Sequence, residues 1–332
     1  MMLYQKMYKS DGELDADLVA KTCILYSDKV YASPISKLFD HDNPRDAFAD
    51  FHDGTRVEDT TIYAMCEAAR FEYVRARVSQ GGRLLIATVR SLVDGSLFRA
   101  RRKISDLSDG TIKSRSHSVV IEDRREFLSV FSPTHQIRVH VRTLCSRHGV
   151  REARSMKVLY IGKGNGSTYS DGSLDRSLGG HKQLPRAMNM VRHGHEVCLV
   201  LMRIDPNILY RNLNVEAPNE LVNDTDWYTE LFEASLINYF KPPLNKNHVS
   251  DSTFPSKGLV DKINNAKLDF LICDIDTSDT DVDLCSDRAG LSSVHLITTF
   301  SRKPDYEEDQ PELRAFIRKS GEEWPMLRQV VF

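Results

Sequence analysis

The sequence predicts an α+β fold, on two observations. Candidate strands and helices interleave along the chain, in the order strand, strand, helix, strand, helix over residues 126–247. The apolar share is ordinary and Pro and Gly are not enriched, so most of the 332 residues belong to folded structure. That length accommodates two or three domains, each burying its own core. The expected division is an N-terminal region at 1–115 with a basic second half, a central domain at 116–250, and an acidic α/β region at 251–332.

Residues 1–55 alternate short apolar pieces with Asp-rich turns such as Asp40-His41-Asp42-Asn43-Pro44, and no site is read there. Thr60 to Val78 reads as a helix, because Ile62, Met65, Ala69 and Tyr73 recur at helical spacing and Gly81-Gly82 ends the run. Arg83–Val89 reads as a strand, and Arg99, Arg101, Arg102 and Lys103 form a basic cluster beside Phe98. Cations next to an aromatic ring suit a nucleic-acid backbone; a solvated charge run is the plainer alternative. Polar turns from Ser105 to Ser118 mark the boundary near 115. Strands are expected at Glu126–Phe131, Ile137–Leu144, around Tyr160, and at Val197–Met202. Helices are expected at Leu184–Val191 and around Glu233, with a loop over 205–225 between. Leu268–Cys273 reads as a strand entering an acidic loop that ends near Asp283.

The runs that carry chemistry lie in the central part. Val158-Leu159-Tyr160-Ile161-Gly162 leads into Lys163-Gly164-Asn165-Gly166. Downstream, Leu231–Phe240 contains Glu233 and ends in Lys241-Pro242-Pro243-Leu244-Asn245. On the helical wheel Glu233 falls within the arc of Leu236, Ile237 and Phe240, where a carboxylate is costly without a partner. A hard divalent cation is one such partner; a salt bridge with Arg176 or Arg203 is another. Alternation puts Tyr160 and Val158 on one sheet face, and Leu159 and Ile161 on the other. Gly164–Gly166 is no Walker motif, since the Gly-Lys-Ser/Thr ending is missing.

Together these runs resemble the GIY-YIG endonuclease family: the second signature tripeptide is Tyr160-Ile161-Gly162, and the ending E-x-x-L-I-x-x-F-x-P-x-L-N starts at Glu233. The resemblance covers about residues 126–247. It implies a small core with a mixed, mainly antiparallel sheet flanked by helices, here with N- and C-terminal additions. It also implies hydrolysis of phosphodiester bonds in nucleic acid, DNA in the first place, with one Mg²⁺ or Mn²⁺. On that resemblance Glu233 holds the metal and Tyr160 prepares the attacking water. Arg176 clamps the phosphate, Lys163 offsets its charge, His181 assists, and Asn245 braces the site by hydrogen bonding. Gly162 and Gly164 allow the backbone close to the phosphate. Arg176 lies 16 positions after Tyr160, and five rather than four before His181, so Ser167–Leu174 reads as an inserted loop.

No tyrosine lies between Tyr73 and Tyr160, so the first tripeptide, G-I-Y, is missing from its usual place. Ile137–Val141 is the strand expected to stand there, with His140 or His135 as candidate proton acceptors near neutral pH. The alternative is a catalytically inactive module of the same fold that binds nucleic acid or protein. A small-molecule enzyme using the 164–166 loop for phosphate leaves Glu233 and the 242–245 tail unexplained. Leu271–Ser278 is similar to a D-x-D phosphatase run and to an EF-hand opening. Too little chain follows for the first, and Asp279 and Cys285 stand where the second needs Gly and Glu.

Charge is unevenly spread. Residues 56–160 carry 20 basic and 11 acidic side chains, whereas residues 1–55 carry 6 and 10 and residues 251–332 carry 10 and 16. A basic middle between acidic ends fits a polyanion-binding surface, while the acidic end is better suited to a protein partner. The six cysteines contain no C-x-x-C pair and read as buried free thiols rather than a zinc site. With no membrane-length apolar run and no signal-peptide core after Met1, a cytoplasmic location is expected.

Overall fold

The computed structural model describes residues 22–38, 60–79, 81–107, 117–133, 135–164, 174, 178, 182–209, 225–247, 249, 261, 270–300 and 328–331. In chain order the elements are β1 (Thr22–Pro34), α1 (Ile35–Leu38), β2 (Ile62–Ala69), β3 (Phe71–Val78), β4 (Leu84–Ser91) and β5 (Leu97–Lys103). Then come β6 (Ser118–Ile121), β7 (Phe127–Phe131), β8 (Gln136–His140), α2 (Val141–Arg147), α3 (Arg151–Arg154) and β9 (Ser155–Lys163). After these follow α4 (Gln183–Met190), β10 (His195–Leu209), α5 (Thr225–Phe240), β11 (Phe270–Asp276), β12 (Asp283–Cys285), β13 (Val294–Phe300) and β14 (Arg328–Val331).

The fold is α+β, built on a mixed sheet ordered β12-β9-β2-β10-β1-β11-β13-β14. Four of its ladders are antiparallel, β9–β2, β2–β10, β10–β1 and β11–β13, against three parallel ones. This sheet takes β1 and β2 from residues 1–115 and β11–β14 from residues 251–332, so it crosses both expected boundaries.

The helix expected over Thr60–Val78 is replaced by β2 and β3. All eight residues of β2 are buried, because neighbouring strands flank it and both faces are covered. A strand buried on both faces shows no alternation of period two, so its apolar residues can fall by chance on helical spacing. The strand expected over Ile137–Leu144 stops at His140, and the chain turns into α2. The His140 ring nitrogen Nδ1 accepts from the Arg142 N–H at 3.3 Å, a side-chain cap for a donor left unpaired at a helix start.

Between β2 and β9 the chain makes a long excursion. The sheets β3-β4-β5 and β6-β7-β8, with α2 and α3, enclose a core of their own that includes Tyr73, Leu85, Val89, Leu128, Val139 and Leu144. Two contacts seat it on the main sheet. Buried Arg142 donates to the carbonyls of Ala69 and Ala153, and it lies 3.7 Å from Glu196 of β10, which also accepts from Ser36 at 3.0 Å. At the second, the carbonyl of Gly194 (φ 75°) accepts from the Arg70 N–H at 2.8 Å, while its Cα faces the Leu92 backbone of the β4–β5 hairpin. A Cβ there would collide with the Leu92 carbonyl, so both the φ and the close approach require glycine.

The main sheet curls round α5. Trp227, Leu231, Phe232, Ala234, Leu236, Ile237, Tyr239 and Phe240 all join one core with residues of β1, β2, β9, β10, β11 and β13. His295 of β13, fully buried, ties the arrangement together. Its Nδ1 lies 3.2 Å from the Tyr239 hydroxyl of α5, and its Nε2 lies 3.2 and 3.0 Å from the carbonyls of Leu284 and Ser292. Those contacts require the tautomer in which Nε2 carries the proton and Nδ1 accepts from tyrosine. The helix ends at Lys241, which has a φ of 49°, and the two prolines that follow cannot continue it.

Candidate functional site

The Tyr160-Ile161-Gly162 run forms the second half of β9, and its inner neighbour is β2. Across this antiparallel ladder Ile62 faces Lys163, Tyr63 faces Gly162, and Met65 faces Tyr160. The register then slips between Met65 and Cys66, which leaves Leu159 as an extra residue. Such a bulge reverses the expected alternation. Val158 and Ile161 face the α5 core, whereas Leu159 and Tyr160 join Tyr63 and Met65 on the opposite face, covered by Leu184 and Ala187 of α4.

Tyr63 is the residue the sequence reading missed. It sits in Thr61-Ile62-Tyr63, 97 positions before Tyr160, on the strand that pairs with the Y-I-G run. The two rings meet with centroids 5.9 Å apart at an interplanar angle of 43°. Tyr63 is fully buried and Tyr160 half-buried, so Tyr160 is the more accessible of the two phenols. Gly162 makes room for this pair. A Cβ on it would come within 2.6 Å of the Tyr63 hydroxyl and 2.9 Å of the Tyr160 ring. The signal was there in Ile62-Tyr63, masked by the helical reading of 60–78.

The tail after α5 closes the other edge of β9. β12 pairs only with Ser155–Lys157, so the rest of that edge is open to another partner. Leu244 donates its N–H to the Leu159 carbonyl at 3.1 Å. The Asn245 amide then spans Ile161, accepting its N–H at 2.9 Å and donating to its carbonyl at 2.8 Å. A side-chain amide thus does for one residue what a neighbouring strand would do. It satisfies both backbone groups flanking Tyr160 and Gly162. Lys163, half-exposed, ends the strand, and Gly164 donates to the Thr61 carbonyl at 2.8 Å.

Glu233 lies in the middle of α5. From Trp227 to Phe240 every residue is buried except Glu230 and Glu233, which are half-buried and one turn apart. Over 227–240 the helix is therefore wrapped nearly all round, and the wheel position that looked apolar lies instead on the stripe that is partly exposed. Arg176 and His181 lie outside the described residues.

His140 does not join this site. It belongs to the separate β6-β7-β8 sheet, where it is 4% exposed, caps α2, and meets the Phe127 ring edge-on at 4.9 Å. Burial, with help from Arg142 and other nearby cations, holds its pKa well below the usual histidine value. His135 lies exposed in the β7–β8 turn. The family's usual short spacing had pointed to β8 as the partner of β9; the partner is β2 because the whole excursion intervenes.

Among the described residues no group of three His, Cys, Asp or Glu side chains converges as a metal cage, and no helix is long and apolar enough to cross a membrane. Cys66, Cys145, Cys198 and Cys273 are buried free thiols. No family model matches the chain, and no curated protein or solved structure matches it either.

Proposed function

We propose that the β2–β9 site hydrolyses phosphodiester bonds of nucleic acid, with DNA as substrate and Mg²⁺ or Mn²⁺ as cofactor, in the manner of GIY-YIG endonucleases. The observation that carries this reading is the Asn245–Ile161 clasp. It brings the tail of the Glu233 helix against the strand of Tyr160 and Gly162, so two motifs about 80 positions apart in sequence meet at one backbone residue. Tyr63 beside Tyr160 supports it further, as the tyrosine of an Ile-Tyr pair on the adjacent strand.

The residues fit a metal of this kind. Mg²⁺ is typically held by one or two carboxylates, with substrate phosphate oxygens and water filling the remaining positions. The half-buried stripe of an otherwise buried helix carries two carboxylates one turn apart, Glu230 and Glu233, which matches that demand, and Glu233 would hold the ion. When bound, the metal supplies Lewis-acid polarisation of the phosphate and stabilises the leaving oxygen. The other roles belong to the chain. Tyr160 stands on the face of β9 opposite α5, so the substrate would have to pass the Lys163 end of the strand for the Tyr160 hydroxyl to orient the attacking water; Tyr63 packs beneath to fix that ring. Lys163 and Arg176 offset the charge that builds on the phosphoryl oxygens. Asn245 keeps β9 in register.

Tyr160→Phe deletes the hydroxyl and nothing else. It is expected to lower single-turnover cleavage of a labelled duplex by about 10²-fold, with the Mg²⁺ requirement and thermal stability unchanged. Cleavage within a few-fold of wild type would remove Tyr160 from the chemistry.

A further inference from the structure

The outer face of the β3-β4-β5 sheet carries an arrangement that the hydrolytic site does not use. Alternation sends Arg75 and Arg77 of β3, Leu84, Ile86 and Thr88 of β4, and Leu97, Arg99, Arg101 and Lys103 of β5 to the side away from the core. Register groups them in rows: Arg75 beside Thr88 beside Arg99, and Arg77 beside Ile86 beside Arg101. All five cations are exposed. Arg75, Arg77, Ile86, Thr88 and Arg99 line a shallow groove of about 220 Å³. Arg102, grouped with this cluster by sequence alone, faces the opposite way beside Ala100 and is half-buried.

No carboxylate among the described residues pairs with any of the five cations. The one acid on this face, Glu72, is bound by Arg90 at 2.7 Å. Among the described residues, five like charges thus stand without counter-charge. The outer strands are two strand spacings apart, about 10 Å, and Arg99 to Lys103 spans about 13 Å along β5. Such a field repels itself unless a polyanion covers it. Guanidinium groups suit phosphate oxygens in particular, since each can donate two parallel hydrogen bonds. The outward positions include no aromatic ring, so the face offers no platform for stacking unpaired bases.

We propose that this face binds the sugar–phosphate backbone of double-stranded nucleic acid, through Arg75, Arg77, Arg99, Arg101 and Lys103, without reading base sequence. The proposal names the substrate-holding surface for the hydrolytic reading above and rests on it for the identity of the polyanion. Binding is tested apart from cleavage, by titrating a labelled short duplex in EDTA over a range of salt concentrations. Replacing Arg75, Arg77, Arg99 and Arg101 together by Gln should lower the slope of log K against log salt by about 3–4. Affinity should fall equally for unrelated sequences. The pair variant Arg75→Gln/Arg99→Gln, less demanding of the fold, should lower the slope by about 2. Arg102→Gln, on the buried side, should leave it unchanged.

An unchanged slope in the pair variant overturns the platform, whatever the cleavage result. Tighter binding to a single strand than to the duplex overturns it as well. A wild-type protein that shows the predicted slopes yet yields no product with Mg²⁺ sinks the hydrolytic reading and leaves the platform standing.

Discussion

Gly162→Ala is expected to abolish cleavage, by about 10²-fold or more, in a protein that still folds. A methyl at this position has no free space: it would fall 2.6 Å from the Tyr63 ring carbon and hydroxyl and 2.9 Å from the Tyr160 ring. Backbone shifts cannot relieve the clash easily. β9 is paired with β2 on one side and clasped by Asn245 on the other, and Tyr63 is fully buried under α4. Both phenols must therefore move. Overpacking of this sort costs about 1–3 kcal/mol of stability, which most domains survive. Displacing a positioned group by about 1 Å can cost about 10² in rate. The measurement is single-turnover cleavage alongside a thermal melt. A variant that melts normally and cleaves within a few-fold of wild type would show that the tyrosine pair is packing alone.

The second large effect is on stability in acid. Burial drives the His295 pKa down from the ordinary histidine value to about 4, despite two backbone carbonyls that favour the charged form. The unfolded chain therefore binds a proton at about pH 6.5 that the folded chain takes up only near pH 4. The stabilisation is complete above pH 6.5 and drains away as pH falls between those values. Its full size is about 3 kcal/mol for this one residue. Protonation would also abolish the acceptor at Nδ1 for the Tyr239 hydroxyl, the link between β13 and α5. His140, whose pKa is likewise depressed by burial, adds in the same direction. Urea denaturation from pH 7.5 to 4.5 should show steadily falling stability. His295→Gln, which can still donate and accept, should flatten part of that slope. A pH-independent wild type would contradict the neutral, doubly bonded imidazole.

Much of this was legible from pattern. The runs that became β4, β7, β9, α4, β10, α5 and β11 were each marked by composition or spacing, because each meets its neighbours in a way that local sequence reflects, but β10 runs on to Leu209 along β1, into the stretch expected as loop. β2 was not, and the reason is physical: a strand covered on both faces loses the alternation that marks strands. That one misreading also hid Tyr63. The pairing of β2 with β9 spans the whole of β3–β8, and nothing local announces that a second core has been folded between two adjacent strands. The bulge at Leu159 could not be foreseen either, since it arises from the register of a partner strand. His140 looked like a replacement base only while β8 stood in for the missing neighbour. Its role as a helix cap depends on the turn at Val141, which the apolar run through Leu144 concealed. Asn245 was named on family resemblance. Why an amide is needed there, with both backbone groups of Ile161 to satisfy at an open strand edge, only the fold reveals.

The central claim is that Glu233 holds a metal with which this site cuts nucleic acid. Supercoiled plasmid incubated with purified protein, with and without Mg²⁺, against Glu233→Ala, tests it most directly. Glu233 is half-buried on the partly exposed stripe of α5, so its loss should leave the fold intact. The account predicts nicked and linear product from the wild type only when Mg²⁺ is present, and a drop of at least about 10²–10³-fold in the variant. Equal nicking by both proteins, or no Mg²⁺-dependent product from the wild type, would contradict it.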